Sequence, residues 1–267
     1  MESSDFLLTN LKKETAVKQR IALVTGAALG IGAAIARKLA SDGCTVLVAD
    51  INMEAAEQHA ASIREEGGKA WAMHMDVGSG PAIDAAFRQI DERFGRCDVL
   101  INNAGIAKTY TFLDYPIDHW ELVMKINLTG PLLCSQHAAR LMKKRGWGRI
   151  VNLTSISGMR ASAGRTAYGT SKAALIGLTR QMAIELAPLG ITANGVSPGP
   201  VDTPLTRATH SEATRSNYLR AIPGARYGTP EEIAAAVSFL ASEAAGYING
   251  HILPVDGGFM AAGLIEI

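Results

Sequence analysis

A tyrosine and a lysine four positions apart are the residues of this chain best suited to proton transfer. Tyr168 and Lys172 begin a segment of helical periodicity, where this spacing places both side chains on one helix face. An ammonium group beside a phenol favours the phenolate, so Lys172 is expected to lower the pKa of Tyr168. Such a tyrosine could exchange a proton with an alcohol or a carbonyl near neutral pH. Taken alone, the spacing also occurs on helices that carry no chemistry.

A glycine-rich turn is suited to binding a pyrophosphate. The apolar run 21–25 predicts a buried strand, and glycines follow it at positions 26, 30 and 32, where a helical segment begins. Glycines let the backbone turn sharply and let a phosphate approach free amides at a helix N-terminus. Glycines also occur in such turns for steric reasons alone, but a first strand, a following helix and a later acidic residue favour a dinucleotide. The predicted cofactor contacts here are Gly26, Leu29, Gly30, Ile31 and Gly32.

An acidic residue indicates which dinucleotide is preferred. Asp50 ends the second predicted strand, where a carboxylate can accept hydrogen bonds from the adenosine ribose hydroxyls and would repel a 2′-phosphate. No arginine or lysine lies at positions 28, 29, 51 or 52, where a cation could neutralise that phosphate. The alternative is an aspartate that only caps the next turn. NAD(H) is therefore predicted over NADP(H).

Short apolar runs alternate with segments of helical periodicity. Strands are predicted over 21–25, 45–50, 70–76, 99–102, 149–154 and 192–197, and helices over 31–40, 53–66, 82–94, 118–144, 166–187 and from 230. This alternation predicts a single α/β domain with a doubly wound (Rossmann) parallel sheet and helices on both faces. We expect a flexible N-terminal extension at 1–18, the domain at 19–267, and a lid at about 200–229, where the chain is polar.

Composition and charge narrow the function classes. The 267 residues are 48% hydrophobic and 19% charged, which indicates a folded globular protein. The formal net charge of +1 gives no support for nucleic-acid binding. Three separated cysteines and six histidines form no disulfide framework or metal-binding spacing. No apolar run approaches the ~20 residues of a membrane span, and we expect a cytoplasmic protein without a metal or a membrane partner.

With these motifs in place, the chain resembles the short-chain dehydrogenase/reductase superfamily over about residues 20–260. The matching pieces occur in the family's order: 25–32, Asp50, Asp76, Val77, 102–105, Asn127, Ser155, Tyr168, Lys172, Pro198, Gly199 and 256–258.

The resemblance implies a role for each catalytic position. Tyr168 would be the general acid and base, and Lys172 would bind the nicotinamide ribose as well as tune Tyr168. Ser155 would hydrogen-bond the substrate oxygen and stabilise its developing charge. Asn127 would hold, through its main chain, a water that links Lys172 to bulk solvent.

The resemblance also implies further cofactor contacts. They are Asp76 and Val77 at the adenine, Asn103, Ala104 and Gly105 along the adenosine side, and Pro198, Gly199, Val201 and Thr203 at the nicotinamide. Two family positions have simpler expected roles. Asn102 is expected to tie neighbouring strands together, and Asp256 to order the C-terminal turn.

Substrate choice is expected in the lid and in the loops after the fourth and fifth strands. Candidate lining residues are Thr109, Tyr110, Ser157 and 159–163. Five arginines suggest an anionic substrate, although most arginines on such segments are solvated: Arg160, Arg165, Arg207, Arg215 and Arg220.

The predicted function is an NAD(H)-dependent interconversion of a secondary alcohol and a ketone, with a sugar, polyol or hydroxy acid as substrate. A 3-oxoacyl thioester reductase is one alternative. A non-catalytic NAD-binding sensor or scaffold is another, although a sensor has no need of a proton relay. The resemblance further implies a homotetramer, joined through helices 118–144 and 166–187 and the C-terminal segment, whose apolar tail is 259–267.

Overall fold

The computed structural model describes residues 20–263, so the extension predicted at 1–18 and the end of the tail at 264–267 lie outside the described residues. Within them, the strands are β1 (Ile21–Thr25), β2 (Thr45–Asp50), β3 (Lys69–His74), β4 (Val99–Asn102), β5 (Gly148–Leu153), β6 (Ile191–Pro198) and β7 (Ile252–Val255). They form one sheet in the order β3-β2-β1-β4-β5-β6-β7, and every neighbouring pair is parallel. The predicted fold class is confirmed.

Helices cover both faces of this sheet. Their bounds are α1 (Gly30–Ser41), α2 (Met53–Glu65), α3 (Gly80–Phe94), α4 (Ile117–Met124), α5 (Gly130–Lys143), α6 (Thr166–Leu186), α7 (Pro204–Thr209), α8 (Glu212–Ala221) and α9 (Pro230–Ala241). One apolar core lies between the sheet and α1, α2 and α9, and a second lies between the sheet and α3, α5 and α6. Strands β1, β5 and β6 are buried along their whole length, which explains the continuous apolar sequence of β1.

The strand β7 does not appear among the sequence-based predictions. It has only four residues, and Pro254 interrupts a run that would otherwise be typical of a strand. Proline has no N–H to give to a ladder and is tolerated at a sheet edge, which is where β7 lies.

The helices of the structure differ from the predicted ones in two segments. The single helix predicted over 118–144 is α4 and α5 joined by a π-helical turn at Lys125–Thr129. The polar segment 200–229 has no apolar periodicity, yet it contains the helices α7 and α8. The side chains of Thr203 and Ser211 cap these two helices, so a capping signal was present in the sequence.

Three further observations concern the described residues. None of the helices within 20–263 has both the length and the apolar character needed to cross a bilayer. The same residues contain no cluster of three or more potential metal ligands. All three cysteines are unpaired, and burial raises the pKa of Cys134 to about 12.

Candidate active site

The strand order reverses between β1 and β4, and a cavity of about 580 Å³ lies at the carboxyl ends of these strands. Such a switch point is where doubly wound sheets bind their ligands. Every residue predicted to contact the cofactor lines this cavity, as do Ser155, Tyr168 and Lys172. Asn127 does not line it and is fully buried. The structure therefore brings the predicted contacts together in one place.

Close backbone packing explains the glycines after β1. Gly26 and Gly30 have φ values of +62° and +58°, which favour glycine. A Cβ on Gly32 would lie 2.2 Å from the carbonyl oxygen of Gly26. A Cβ on Gly26 would lie 2.9 Å from the Cα of Ala104. The loop therefore packs against α1 and the loop after β4 with no room for side chains.

The N-terminus of α1 faces the cavity without a side-chain cap. Leu29 occupies the N-cap position and makes no capping hydrogen bond, and the first turn contains no acidic residue. The first amides of a helix have no acceptor within the helix, so this end can bind an anion. We call the turn formed by Gly26, Gly30 and Gly32 the glycine cradle. Together with these amides, it fits the pyrophosphate of a dinucleotide, which Gly30, Ile31 and Gly32 would hold.

Asp50 lies at the end of β2 and is half-buried in the cavity wall. Its carboxylate accepts hydrogen bonds from the amide of Ala28 at 3.1 Å and the amide of Asn52 at 3.0 Å. Both contacts order the neighbouring turns, as the capping alternative requires. A carboxylate has about four acceptor sites, so capacity is left for ribose hydroxyls.

The residues after β3 and β4 form the next part of the wall. The carboxylate of Asp76 accepts a hydrogen bond from the amide of Gly78 at 2.8 Å. The side-chain amide of Asn103 donates to the carbonyl of Thr25 at 2.8 Å and to that of Gly26 at 2.9 Å. The Asn103 side chain therefore connects the loop after β4 to the glycine loop.

A neighbouring asparagine has the structural role predicted for it. The side-chain amide of Asn102 donates to the side-chain oxygen of Asn152 at 2.8 Å. These two residues are paired in the register of β4 and β5. Asn102 therefore ties the two strands together.

The loop after β6 closes the opposite side of the cavity. The amide of Gly199 donates to the carbonyl of Val255 at 3.0 Å, and a Cβ on Gly199 would lie 2.8 Å from the Cα of Asp256. The Asp256 carboxylate accepts two amides of the following turn, at 2.8 and 3.0 Å. Val201 pairs with Gly228 in a β-bridge at the base of the lid.

Ser155, Tyr168 and Lys172 meet at one end of the cavity. Ser155 follows β5, and Tyr168 lies in the first turn of α6. The ammonium of Lys172 is buried with 4% exposure and donates to the carbonyl of Leu153 at 2.7 Å. The Nζ atom lies 5.8 Å from the centre of the Tyr168 ring. This arrangement places a hydroxyl, a phenol and an ammonium around one point of the cavity.

The pKa of Tyr168 does not follow the prediction. Removal from water raises the pKa of Tyr168, while the hydrogen bond from Ser155 and the charge of Arg165 lower it in part. Desolvation also lowers the pKa of Lys172 from its ordinary 10.5 to about 8. The prediction that Lys172 lowers the pKa of Tyr168 is therefore wrong for this structure. The reason is that burial of the phenol raises its pKa by more than its neighbours lower it.

Asn127 lies in the π-helical turn between α4 and α5. Its side chain accepts from the amide of Ile106 at 2.9 Å, and it donates to the Ile106 carbonyl at 3.0 Å and to the Ser171 hydroxyl at 3.1 Å. Four residues later, Pro131 has no N–H, so the Asn127 carbonyl lacks its α-helical donor. The side chain is thus engaged, and the main-chain carbonyl is suited to accept from water.

The segment 200–229, for which a lid is predicted, contributes residues that sequence reasoning did not single out. His210 and Tyr218 line the end of the cavity where Ser155, Tyr168 and Lys172 meet, which we call the catalytic end. The rings of His210 and Tyr218 are stacked, with their centres 5.5 Å apart. His210 Nδ1 lies 2.9 Å from the Tyr227 hydroxyl. The only signal for them was their position in the predicted lid. Of the candidate lining residues after the fourth and fifth strands, Ser157 lines the cavity. Thr109, Tyr110 and 159–163 do not, which corrects that prediction.

Comparison with known proteins gives relatives along almost the whole chain. A family profile described as enoyl-(acyl carrier protein) reductase matches residues 26–260. The 3-oxoacyl-acyl-carrier-protein reductase of Aquifex aeolicus is 43% identical over 246 residues, covering 92% of this chain and 99% of the relative. The cis-4-hydroxycyclohexanecarboxylate dehydrogenase of Sinomonas cyclohexanicum is 41% identical over 247 residues, covering 92% of this chain and 98% of the relative.

A solved structure with the same fold is similar over the same range. The gluconate 5-dehydrogenase of Burkholderia cenocepacia, in complex with NADP and tartrate, superposes with a TM-score of 0.88 at 36% identity. The match covers 91% of this chain and 96% of that one. The chain therefore belongs to the short-chain dehydrogenase/reductase superfamily, and it is an oxidoreductase acting on CH–OH or keto groups.

Proposed function

We propose that the protein is an NAD(H)-dependent dehydrogenase that interconverts a secondary alcohol and a ketone, with a sugar, polyol or hydroxy acid as substrate. One observation carries the proposal. Ser155, Tyr168 and Lys172 lie at one end of a cavity whose other end has a glycine cradle, free helix amides and an aspartate. This arrangement supports hydride transfer beside a proton-transferring phenol.

Each residue of the site has a separate role in binding the substrate oxygen or in transferring its proton. Bound NAD supplies the hydride acceptor in oxidation, and NADH supplies the donor in reduction. In reduction the Tyr168 hydroxyl gives its proton to the carbonyl oxygen, and in oxidation the Tyr168 phenolate takes the proton of the alcohol. The Ser155 hydroxyl hydrogen-bonds that oxygen, and Lys172 holds the nicotinamide ribose. A water on the Asn127 carbonyl completes the path by which the proton reaches solvent.

The proposal of NAD over NADP rests on the charges of the cavity wall. Asp50 lies at the adenosine end, and the only arginine and lysine among the described lining residues, Arg165 and Lys172, lie at the catalytic end. A 2′-phosphate would therefore meet a carboxylate and no cation. The Burkholderia structure contains NADP, so family membership by itself does not select the cofactor.

A second candidate function is reduction of a 3-oxoacyl thioester. The 43% identity to the Aquifex reductase favours it at least as strongly as the gluconate dehydrogenase supports a polyol or sugar. The third alternative, a non-catalytic sensor, has no support from a family of oxidoreductases or from the intact set of Asn127, Ser155, Tyr168 and Lys172.

A panel assay separates these functions. Initial rates would be measured from NADH absorbance with polyols, sugars and hydroxy acids in oxidation, and with 3-oxoacyl thioesters in reduction, each with NAD(H) and NADP(H). The proposal predicts the highest kcat/KM for a hydroxylated substrate with NAD. A thioester with NADPH as the best pair would establish the second candidate, and tight NADH binding without any turnover would favour the sensor.

We also propose that the protein is a homotetramer joined through α4–α5 and α6. Large apolar side chains are exposed on and beside these helices: Phe112, Leu113, Ile117, Leu122 and Ile184. Contiguous exposed apolar surface is typical of an interface. Light scattering should give about four times the chain mass of 28.2 kDa, and a monomer would rule the proposal out.

A further inference from the structure

The arginines near the cavity differ in what they contact. Four of the five arginines that suggested an anionic substrate are engaged outside the cavity wall. Arg207 and Arg215 pair with Asp202, Arg220 donates to Asn217, and Arg160 is exposed over the Phe259 ring. None of these four lines the cavity. Their charges are thus satisfied or solvated, which leaves Arg165.

Arg165 lies in the cavity wall beside the reacting phenol. It occupies the N-cap position of α6, three residues before Tyr168, and its Cζ lies 5.6 Å from the centre of the Tyr168 ring. Arg165 is half-buried as a residue, and among the described residues its guanidinium has no carboxylate at ion-pair distance and no hydrogen-bond acceptor. Beside its contact with the Tyr168 ring, the guanidinium is available to an anion that a ligand brings.

The described residues that line the rest of the catalytic end include no acidic side chain. The aspartates that line the cavity, Asp50 and Asp76, follow β2 and β3 at the adenosine end. His210 is neutral near neutral pH, because burial first, and then the charges of Arg165 and Arg215, lower its pKa. Among the described lining residues, Arg165 is therefore the cation available to a substrate, since Lys172 is directed at the Leu153 carbonyl.

We propose that Arg165 binds a carboxylate of the substrate, so that the enzyme acts on hydroxy acids and the corresponding keto acids. The inference rests on the proposed dehydrogenase function and names its substrate class. A guanidinium offers two parallel N–H donors that match the two oxygens of a carboxylate. In the oxidation, the hydride of the C–H bond would go to NAD, the O–H proton would go to the Tyr168 phenolate to give the phenol, and the carboxylate is unchanged.

The position of Arg165 limits where the carboxylate can be. The substrate oxygen must reach the Tyr168 hydroxyl while the carboxylate reaches a guanidinium 5.6 Å from the same ring. The carboxylate therefore lies within a few carbon–carbon bonds of the reacting carbon. An anion on the long prosthetic arm of an acyl carrier protein is too distant from the keto group to meet this condition. A neutral polyol would leave Arg165 without a partner.

Matched substrates test this inference directly. 2-Hydroxybutyrate, 3-hydroxybutyrate and 4-hydroxypentanoate would each be compared with the corresponding primary amide, which removes the charge and keeps the shape. For the best pair, Arg165→Gln should lower kcat/KM for the acid on the order of 100-fold, mainly through KM, and leave the amide within about twofold. Arg165→Lys should recover part of the loss, since an ammonium keeps the positive charge but lacks the two parallel N–H donors of the guanidinium.

Two controls separate binding from structural damage. Arg160→Gln removes an exposed arginine outside the cavity and should leave both rates unchanged. The Kd of NADH should be the same in wild type and Arg165→Gln, because Arg165 is assigned to the substrate. An equal loss for acid and amide, or a wild type without preference for the acid, would overturn the inference.

Failure of the proposed function gives a different pattern. If no compound is turned over, calorimetric titration of the NADH complex with malonate, against malonamide, replaces the rate measurement. Malonate binding that Arg165→Gln weakens on the order of 100-fold would keep the anion site while refuting the dehydrogenase proposal. Absent malonate binding, or equal binding to both proteins, would overturn the inference itself.

Discussion

Replacing Asp50 with asparagine should shift cofactor preference from NADH towards NADPH. Asp50 ends β2 at the adenosine end of the cavity, and its carboxylate accepts the amides of Ala28 and Asn52 at 3.1 and 3.0 Å. Asparagine has nearly the same size and keeps one oxygen that can accept an amide. The substitution thus removes the charge while largely preserving the local turn.

The size of the effect follows from the charges. A carboxylate and a phosphate roughly 5 Å apart repel by about 3 kcal/mol at an effective dielectric of about 20, which corresponds to a change in Kd of roughly 100-fold. Loss of charge-assisted hydrogen bonds to the ribose weakens NADH binding by about 1 kcal/mol more. The ratio of the NADPH Kd to the NADH Kd should therefore fall by about 100- to 1000-fold.

Fluorescence titration with NADH and NADPH measures this ratio without a known substrate. Asp42→Asn is the matched control, because Asp42 is a carboxylate at the end of α1 that pairs with Lys38 outside the cavity wall. It should leave the ratio unchanged. A wild type that binds NADPH as tightly as NADH would refute the reasoning. So would an unchanged ratio in Asp50→Asn.

Two further predictions concern the cradle and the buried lysine. Gly32→Ala would bring a Cβ to 2.2 Å from the Gly26 carbonyl oxygen, so NADH binding should be lost and the free energy of unfolding should fall by about 2 kcal/mol or more. Urea unfolding and NADH titration check this, with Gly80→Ala as control because its Cβ would meet its nearest atom at 3.8 Å. The second prediction starts from the lowered pKa of Lys172, about 8 in the fold against 10.5 ordinarily, so the unfolded chain binds more protons between these values. Without cofactor, the free energy of unfolding of wild type relative to Lys172→Met should rise between about pH 8 and 10.5, by at most about 3 kcal/mol, and a flat difference would contradict the buried ammonium.

Sequence reasoning was most successful where strands are buried on both faces. Runs of three or four apolar residues predicted β1, β2 and β4, because short apolar runs are typical of strands buried on both faces. The glycine loop and Asp50 could be assigned because strand ends in a parallel sheet meet at one edge.

The features that sequence did not predict depend on tertiary context. Strand β7 contains Pro254 and is tolerated only because it lies at the edge of the sheet. The π-helical turn around Asn127 has no periodic signature, since one extra residue in a turn alters the pattern only locally. The pKa of Tyr168 depends on how far its surroundings exclude water, and spacing to Lys172 carries no information about that.

The segment 200–229, the predicted lid, shows another limit of prediction from sequence. Helices α7 and α8 are polar, so they lack the apolar stripe that identifies most helices. The contacts that place His210 and Tyr218 over the catalytic end are aromatic pairs within the lid. Composition could locate the segment, but not the side chains that face a substrate.

Substitution of Tyr168 with phenylalanine tests the central claim most directly. The change removes one hydroxyl and keeps the ring that packs beside Lys172 and Arg165. With the best substrate of the panel, kcat should fall by about 100- to 10,000-fold, the range expected for loss of a general acid and base. The Kd of NADH should stay within about threefold of wild type. Near-normal turnover by Tyr168→Phe would contradict the proposed mechanism.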